Sequence, residues 1–182
     1  MNENLANELL EMAQADQDYR KEWFDNRDKI EYKEGLKRLD EEHFARLQQI
    51  IATHGWPSRK LVGAAASHGA WLLVQHSTLE LQKKCLELMK RLSSDENDQR
   101  QLAYLTDRVR MREDKPQIYG TQYHRQGEDL VLYDVEDPES LDERRAAVGL
   151  GPASYTYDFE AAKQADEAGT AFSSLGGWRQ GS

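Results

Sequence analysis

Few places in this chain can carry chemistry. The stretch 58–76 is apolar almost throughout, with Leu61, Val62, Ala64, Ala65, Ala66, Ala70, Trp71, Leu72, Leu73 and Val74, yet it includes His68, Gln75 and His76. At 100° per residue, a helix sets Gln75 about 20° from His68 and His76 about 80° from it, so all three share one side. Buried without partners, each would cost about 1–3 kcal/mol. They form either a structural hydrogen-bond network or the floor of a polar pocket. His76 has the chemistry of a general base. So does His54, which otherwise caps the helix that ends at Gly55-Trp56-Pro57. His68 and His76 stand about 12 Å apart along the axis, at roughly 1.5 Å per residue. That is too far for one ion, and with no HExxH or CxxC spacing no metal is expected. Ser67, Ser77 and Cys85 have no nucleophile-elbow context, and there is no P-loop or GxGxxG to hold a phosphate-bearing cofactor, so none is expected.

Two further groups follow. Asp107 could orient a histidine or a ligand amine, and Arg108 could clamp a carboxylate or phosphate through two bonds, although a charged helix often carries such a pair on its surface. The segment 116–123 reads Pro-Gln-Ile-Tyr-Gly-Thr-Gln-Tyr. As a strand it would set Gln117, Tyr119, Thr121 and Tyr123 on one face, and Ile118, Gly120, Gln122 and His124 on the other. A mid-strand glycine marks a bulge or a close backbone approach. Gln117, Tyr119, Thr121 and Gln122 around Gly120 suit a neutral or zwitterionic polar molecule or a peptide, or else make a solvent-facing edge. Near the start, Asp16 interrupts an apolar stripe with Arg20 one turn on, within reach for an ion pair.

These residues need elements to hold them. Leu5, Leu9, Met12, Asp16, Tyr19 and Trp23 recur at helical spacing and predict a helix over 3–24. Leu36, Leu39, His43, Leu47 and Ile50 predict a second over 34–53, stopped by Gly55 and Pro57. Ser58 is a plausible cap for a third helix over 58–76, apolar nearly all round and therefore central. Leu79, Leu81, Cys85, Leu86, Leu88, Met89 and Leu92 predict a fourth over 78–93, and Leu102, Leu105 and Val109 a fifth over 98–113. Lys115-Pro116 ends the helical pattern. Strands over 117–124 and 130–133, turned at 125–128, predict a hairpin, and a short helix follows from Asp137-Pro138 to Val148. Residues 161–168 could be helical, and 173–178 is flexible in composition.

The fold class expected is mainly α: a compact bundle of about five to six helices with one short β-hairpin near 117–133. Residues 1–152 would form a single domain, with 153–182 as a partly flexible C-terminal extension, a length that suits one core. The net charge of −9, from 33 acidic and 24 basic residues, argues against nucleic acid and anionic membrane surfaces as partners. Mean hydropathy is −0.86, and charged residues make up 31%, as in a soluble protein. The single Cys85 and a start without basic and apolar signal-peptide regions point to the cytoplasm.

The polar blocks Asp16-Gln17 with Arg20, His54-Gly55-Trp56-Pro57, Trp71 to His76, Ala103 to Arg108, Pro116 to Gln122, and Asp142 to Arg145 with Gly149-Leu150 resemble the successive motifs of an uncharacterised bacterial family, domain of unknown function 6624, over roughly 9–152. The resemblance supplies no reaction, but implies that these blocks belong to one module. Ser77 stands where the family pattern has an alanine. His43 stands where it favours an asparagine, which sets His43 aside as a catalytic candidate.

The first expectation is thus an enzyme of hydrolase or acyl-transfer type acting on a small polar molecule or peptide. His76 or His54 would be its base and Asp107 the orienter. Arg108, Gln75, His68, Gln117, Tyr119, Gly120, Thr121, Gln122, Asp16 and Arg20 would make the binding set. The alternative is a non-catalytic module that recognises a peptide or protein partner, a partner that could also engage the C-terminal tail. A toxin or immunity role is a third reading, since an acidic surface suits a basic opponent.

Overall fold

A computed structural model describes residues 1–126 and 129–153. The expectations of a turn at 127–128, a helix over 161–168, flexibility over 173–178 and a partner surface on the tail concern residues outside the described ones. The chain divides into two compact units, Met1–Asn97 and Asp98–Ser182.

The first unit is helical: α1 (Glu3–Asp25), α2 (Ile30–His54), α3 (Arg59–Val62), α4 (Ala64–His76) and α5 (Leu79–Lys90). Each start except those of α2 and α4 is capped by a side-chain oxygen that accepts an otherwise unbonded N–H. Asn2 accepts from Leu5 N, Ser58 from Leu61 N and Thr78 from Leu81 N. The predicted helix over 58–76 is not continuous. Gly63, at φ 82° and ψ 165°, lies outside helical geometry and separates α3 from α4, a turn that glycine makes at little steric cost.

α4 is the central helix. It packs against α1, α2, α3 and α5 and buries Ala66, Ser67, Gly69, Ala70, Trp71, Leu73, Val74, Gln75 and His76. A Cβ at Gly69 would stand 3.0 Å from the Ala13 Cβ and 3.1 Å from the Leu9 carbonyl oxygen. Glycine there lets α1 lie directly on α4. Leu9, Leu47, Ile50, Trp71, Leu73 and Met89 fill the core between these helices. The α4 C-terminus is tied from α5: the Gln82 amide donates to the carbonyls of Val74 at 3.1 Å and Gln75 at 3.0 Å, and the Ser77 hydroxyl donates to Val74 O.

The second unit begins with α6 (Gln99–Arg112), capped by Asp98. Strands β1 (Tyr123–Gln126) and β2 (Asp129–Leu132) pair antiparallel, with Tyr123 opposite Leu132. A 3-10 turn (Pro138–Ser140) leads into α7 (Leu141–Ala147). The architecture is mainly α with a small two-stranded sheet, as the sequence implies. The first strand, however, starts six residues later than predicted, and 117–122 is irregular apart from one parallel bridge between Gln117 and Val135. The alternation of polar side chains there is not strand periodicity. Side chains of α6, α7 and Gln117 itself, described below, take many of the hydrogen bonds a neighbouring strand would have taken. Among the described residues, no helix is long and apolar enough to cross a membrane.

Candidate functional site

Each unit holds one polar centre. In the first, Asp16 lies on the buried face of α1 at 1% exposure. Its carboxylate receives Arg20 Nε at 3.0 and 3.1 Å and Gln17 Nε2 at 2.8 Å. Across the α1–α4 contact, His76 Nδ1 lies 3.0 Å from Asp16 Oδ2. Arg20 reaches onward from Asp16 to Asp40 of α2, at 2.5 Å. Burial alone would push the Asp16 carboxyl up. His76 and Arg20 outweigh it and hold the group down at about 2, so it is ionised throughout the neutral range.

His43, one turn beyond Asp40 on α2, belongs to the same neighbourhood. It is 9% exposed, and its Nδ1 has no hydrogen-bond partner among the described residues. Burial pushes its pKa below the usual imidazole value, opposed by the charges of Asp16 and Glu42. The family pattern gave no reason to count His43, nor did any local motif point to Asp40. The available signal was a histidine inside the apolar stripe Leu36, Leu39, Leu47 and Ile50, three residues after an aspartate.

The remaining candidates of this unit stand apart in character. Gln75 is 5% exposed, and neither its Oε1 nor its Nε2 has a hydrogen-bond partner among the described residues. His68 is half-buried and stacks on Trp71, with ring centroids 5.4 Å apart. His54 is exposed in the last turn of α2. The Cys85 thiol is buried and pushed up to about 12 by that burial, which keeps it protonated and unreactive.

In the second unit, the 117–122 segment is held by side chains from both flanks. Asp107 on α6 is fully buried and accepts the backbone N–H of Ile118 at 2.8 Å, of Tyr119 at 3.1 Å and of Thr121 at 3.0 Å, with the Thr121 hydroxyl at 2.9 Å. Burial pushes its pKa up while these donors pull it down. Gln117, also fully buried, uses its whole amide. Nε2 donates to the carbonyls of Gln122 and Tyr133, both at 3.0 Å, and Oε1 accepts from the N–H groups of Thr121 and Gln122 at 2.9 and 2.6 Å. From α7, Arg144 donates to Ile118 O at 2.9 Å, and Arg145 donates to Tyr119 O at 2.7 Å and Gly120 O at 3.0 Å. Gly120 takes φ 59°, and a Cβ there would meet Leu132 and Leu141 at 3.3 and 3.4 Å. Gln122 Nε2 donates to Thr121 Oγ1.

The role expected of Asp107 therefore changes. Its carboxylate is spent on the loop backbone, and the aspartate that meets a histidine is Asp16. Gln117 and Thr121 likewise spend their polar atoms on the loop. Arg108 is buried beside Asp107 in sequence at 8% exposure, and Tyr119 is half-buried. No group of three or more His, Cys, Asp or Glu side chains among the described residues is arranged to hold a metal ion.

Among the described residues, the chain is mainly helical, with a buried Asp16–His76 pair flanked by Arg20 and a braced loop at 117–122. A model of a family of unknown function, DUF6624, matches residues 3–163, and the chain belongs to that family. No curated protein matches the chain. No solved structure matches it.

Proposed function

We propose that the protein is an acid–base enzyme of hydrolase or acyl-transfer type acting on a small polar molecule or peptide, with His76 as the proton-transfer group and Asp16 as its orienter. The observation that carries this reading is the 3.0 Å approach of His76 Nδ1 to an Asp16 carboxylate held ionised at about 2. An ionised aspartate at Nδ1 favours the proton on that nitrogen and makes Nε2 the basic atom. It also stabilises the imidazolium formed when Nε2 takes a proton from an attacking water or hydroxyl. Arg20 and Gln17 fix the carboxylate, so the orienter is itself oriented. With the His76 side chain at 4% exposure, the pair works outside bulk solvent, where its electrostatic interaction is stronger. A cytoplasmic location is part of the proposal, supported by one unpaired, buried cysteine.

The test is turnover of a panel of chromogenic esters, anilides and short peptides by the parent, His76→Gln and Asp16→Asn. His76→Gln should abolish turnover, and Asp16→Asn should lower it about 10²–10⁴-fold. Turnover that survives in His76→Gln, or none by the parent on any substrate, removes the catalytic reading. A second reading, a non-catalytic module for a peptide or protein partner, draws on the braced loop. A segment already fixed at Asp107, Gln117, Arg144 and Arg145 loses little freedom when it binds.

A further inference from the structure

Buried side-chain amides in this chain are generally satisfied. Gln82 donates to Val74 O and Gln75 O. Asn97 donates to Met89 O at 3.2 Å. Gln117 uses both its oxygen and its nitrogen, and Gln122 donates to Thr121. Gln75 departs from this pattern. It is 5% exposed, and both ends of its amide are without a partner among the described residues. It is also the residue next to His76, in the last turn of α4. Its own backbone carbonyl is bonded by Gln82, which ties the end of the helix that carries it. Two polar atoms on one buried side chain that no protein group meets call for a water or a ligand to meet them. A buried polar group left unmet is also what lets a site reject ligands that cannot satisfy it.

The geometry points to Gln75 as the recognition residue for a primary carboxamide on the molecule that the Asp16–His76 centre acts on. An amide presents one donor and one acceptor side by side in a plane. The group that completes both at once is another amide of the form CO–NH2, whose carbonyl accepts from Nε2 while its N–H donates to Oε1. A carboxylate offers acceptors only and sets its charge against Oε1. A methyl ester has no donor. The inference rests on the reading of Asp16–His76 as a functional centre, and it narrows the substrate class to carboxamide-bearing small molecules or peptide amides.

The experiment compares three matched series, N-acetylated amino acid amides, their free acids and their methyl esters, with aliphatic, aromatic and polar side chains. Binding to the full-length protein is read by thermal shift and by the side-chain 15N–1H signal of Gln75. At least one amide should bind about tenfold or more tightly than its acid and ester and move the Gln75 signal. Gln75→Met, close to glutamine in shape but without the amide, should erase that preference and raise the Tm of the unliganded protein. Equal response to the three series, no response to any amide, or an amide preference that persists in Gln75→Met overturns the inference. His76→Gln separates the two claims, because recognition needs no proton transfer. Amide preference retained in His76→Gln without turnover by the parent sinks the catalytic reading alone. His76-dependent turnover without amide preference sinks this inference alone.

Discussion

Asp16 shows how one buried charge becomes tolerable. An ionised carboxylate at 1% exposure is costly unless its lone pairs are filled and an opposite charge is near. Gln17, Arg20 and His76 meet both conditions, and Arg20 is shared with Asp40. Asp16→Asn keeps the shape but leaves Arg20 with Asp40 as its one carboxylate among the described residues and takes the charged acceptor from His76 Nδ1, and should cost about 3 kcal/mol at pH 7 in urea unfolding. The sign with pH follows from the depressed carboxyl. The folded state holds Asp16 at about 2, whereas an unfolded aspartate titrates at about 3.9. The stabilisation is therefore whole above the unfolded value and is lost as pH falls through about 2. The gap between parent and Asp16→Asn should accordingly shrink on acidification from pH 5 to pH 2. A gap independent of pH would show that the charge on Asp16 is not what stabilises the fold. The sequence marked Asp16 and His76 because each breaks an apolar pattern, and it paired Asp16 with Arg20 one turn on, as found. It did not bring His76 to that pair, since 60 residues separate Asp16 from His76 and only the α1–α4 packing brings them together. The histidine partner assigned instead, Asp107, was read from its place in a polar helix, and nothing local reveals that five hydrogen-bond contacts from 118–121 converge on its two oxygens.

Helices were legible where their periodicity was strong. The stripe of α1, the Ser58 cap and the Gly55 stop of α2 all correspond to elements in the structure. The break at Gly63 was not, because apolar residues on both sides, Leu61 and Val62 before it and Ala64 to Ala66 after it, continue a helical pattern that only the backbone angle interrupts. The loop at 117–122 was misread for the opposite reason: its alternation is regular, but its backbone is held largely by side chains of α6, α7 and its own Gln117 rather than by a full strand pairing. At this scale, two helical glycines make a test. Alanine gains about 1 kcal/mol over glycine in helix propensity. At Gly35 the obstacle to a Cβ is the Tyr19 hydroxyl end, which can swing aside. At Gly69 the obstacles are the Leu9 backbone and the Ala13 Cβ, which cannot move unless α1 does. Gly69→Ala should therefore lower stability by about 1–2 kcal/mol, while Gly35→Ala stays near neutral. Equal effects in thermal unfolding would show that α1 and α4 are not in tight register.

Over the whole molecule, buried apolar side chains occur in both units. Leu9, Leu47, Trp71, Leu73 and Met89 lie in the first; Leu105, Leu132 and Leu141 lie in the second. The single cysteine reports on the first. Cys85 is 0% exposed, with its thiol pushed up to about 12, so a disulfide reagent should label it only when that unit opens. Labelling at pH 8 should be slow in buffer, reach the rate of a free thiol in 8 M urea, and accelerate in Gly69→Ala in proportion to its lost stability. Fast labelling in buffer would mean that α5 separates from α4 without global unfolding.

The braced loop has a consequence for how this protein can change. Among the described residues, Ile118 and Tyr119 enter its hydrogen-bond scheme through backbone atoms, while the side chains that fix its course belong to Asp107, Gln117, Arg144 and Arg145. The shape of the segment and the identity of what it displays are therefore encoded at different positions. Sequence at 118 and 119 can drift, or be rewritten by design, while the path of the chain stays constant, which makes this segment a ready place to graft new recognition onto an unchanged framework.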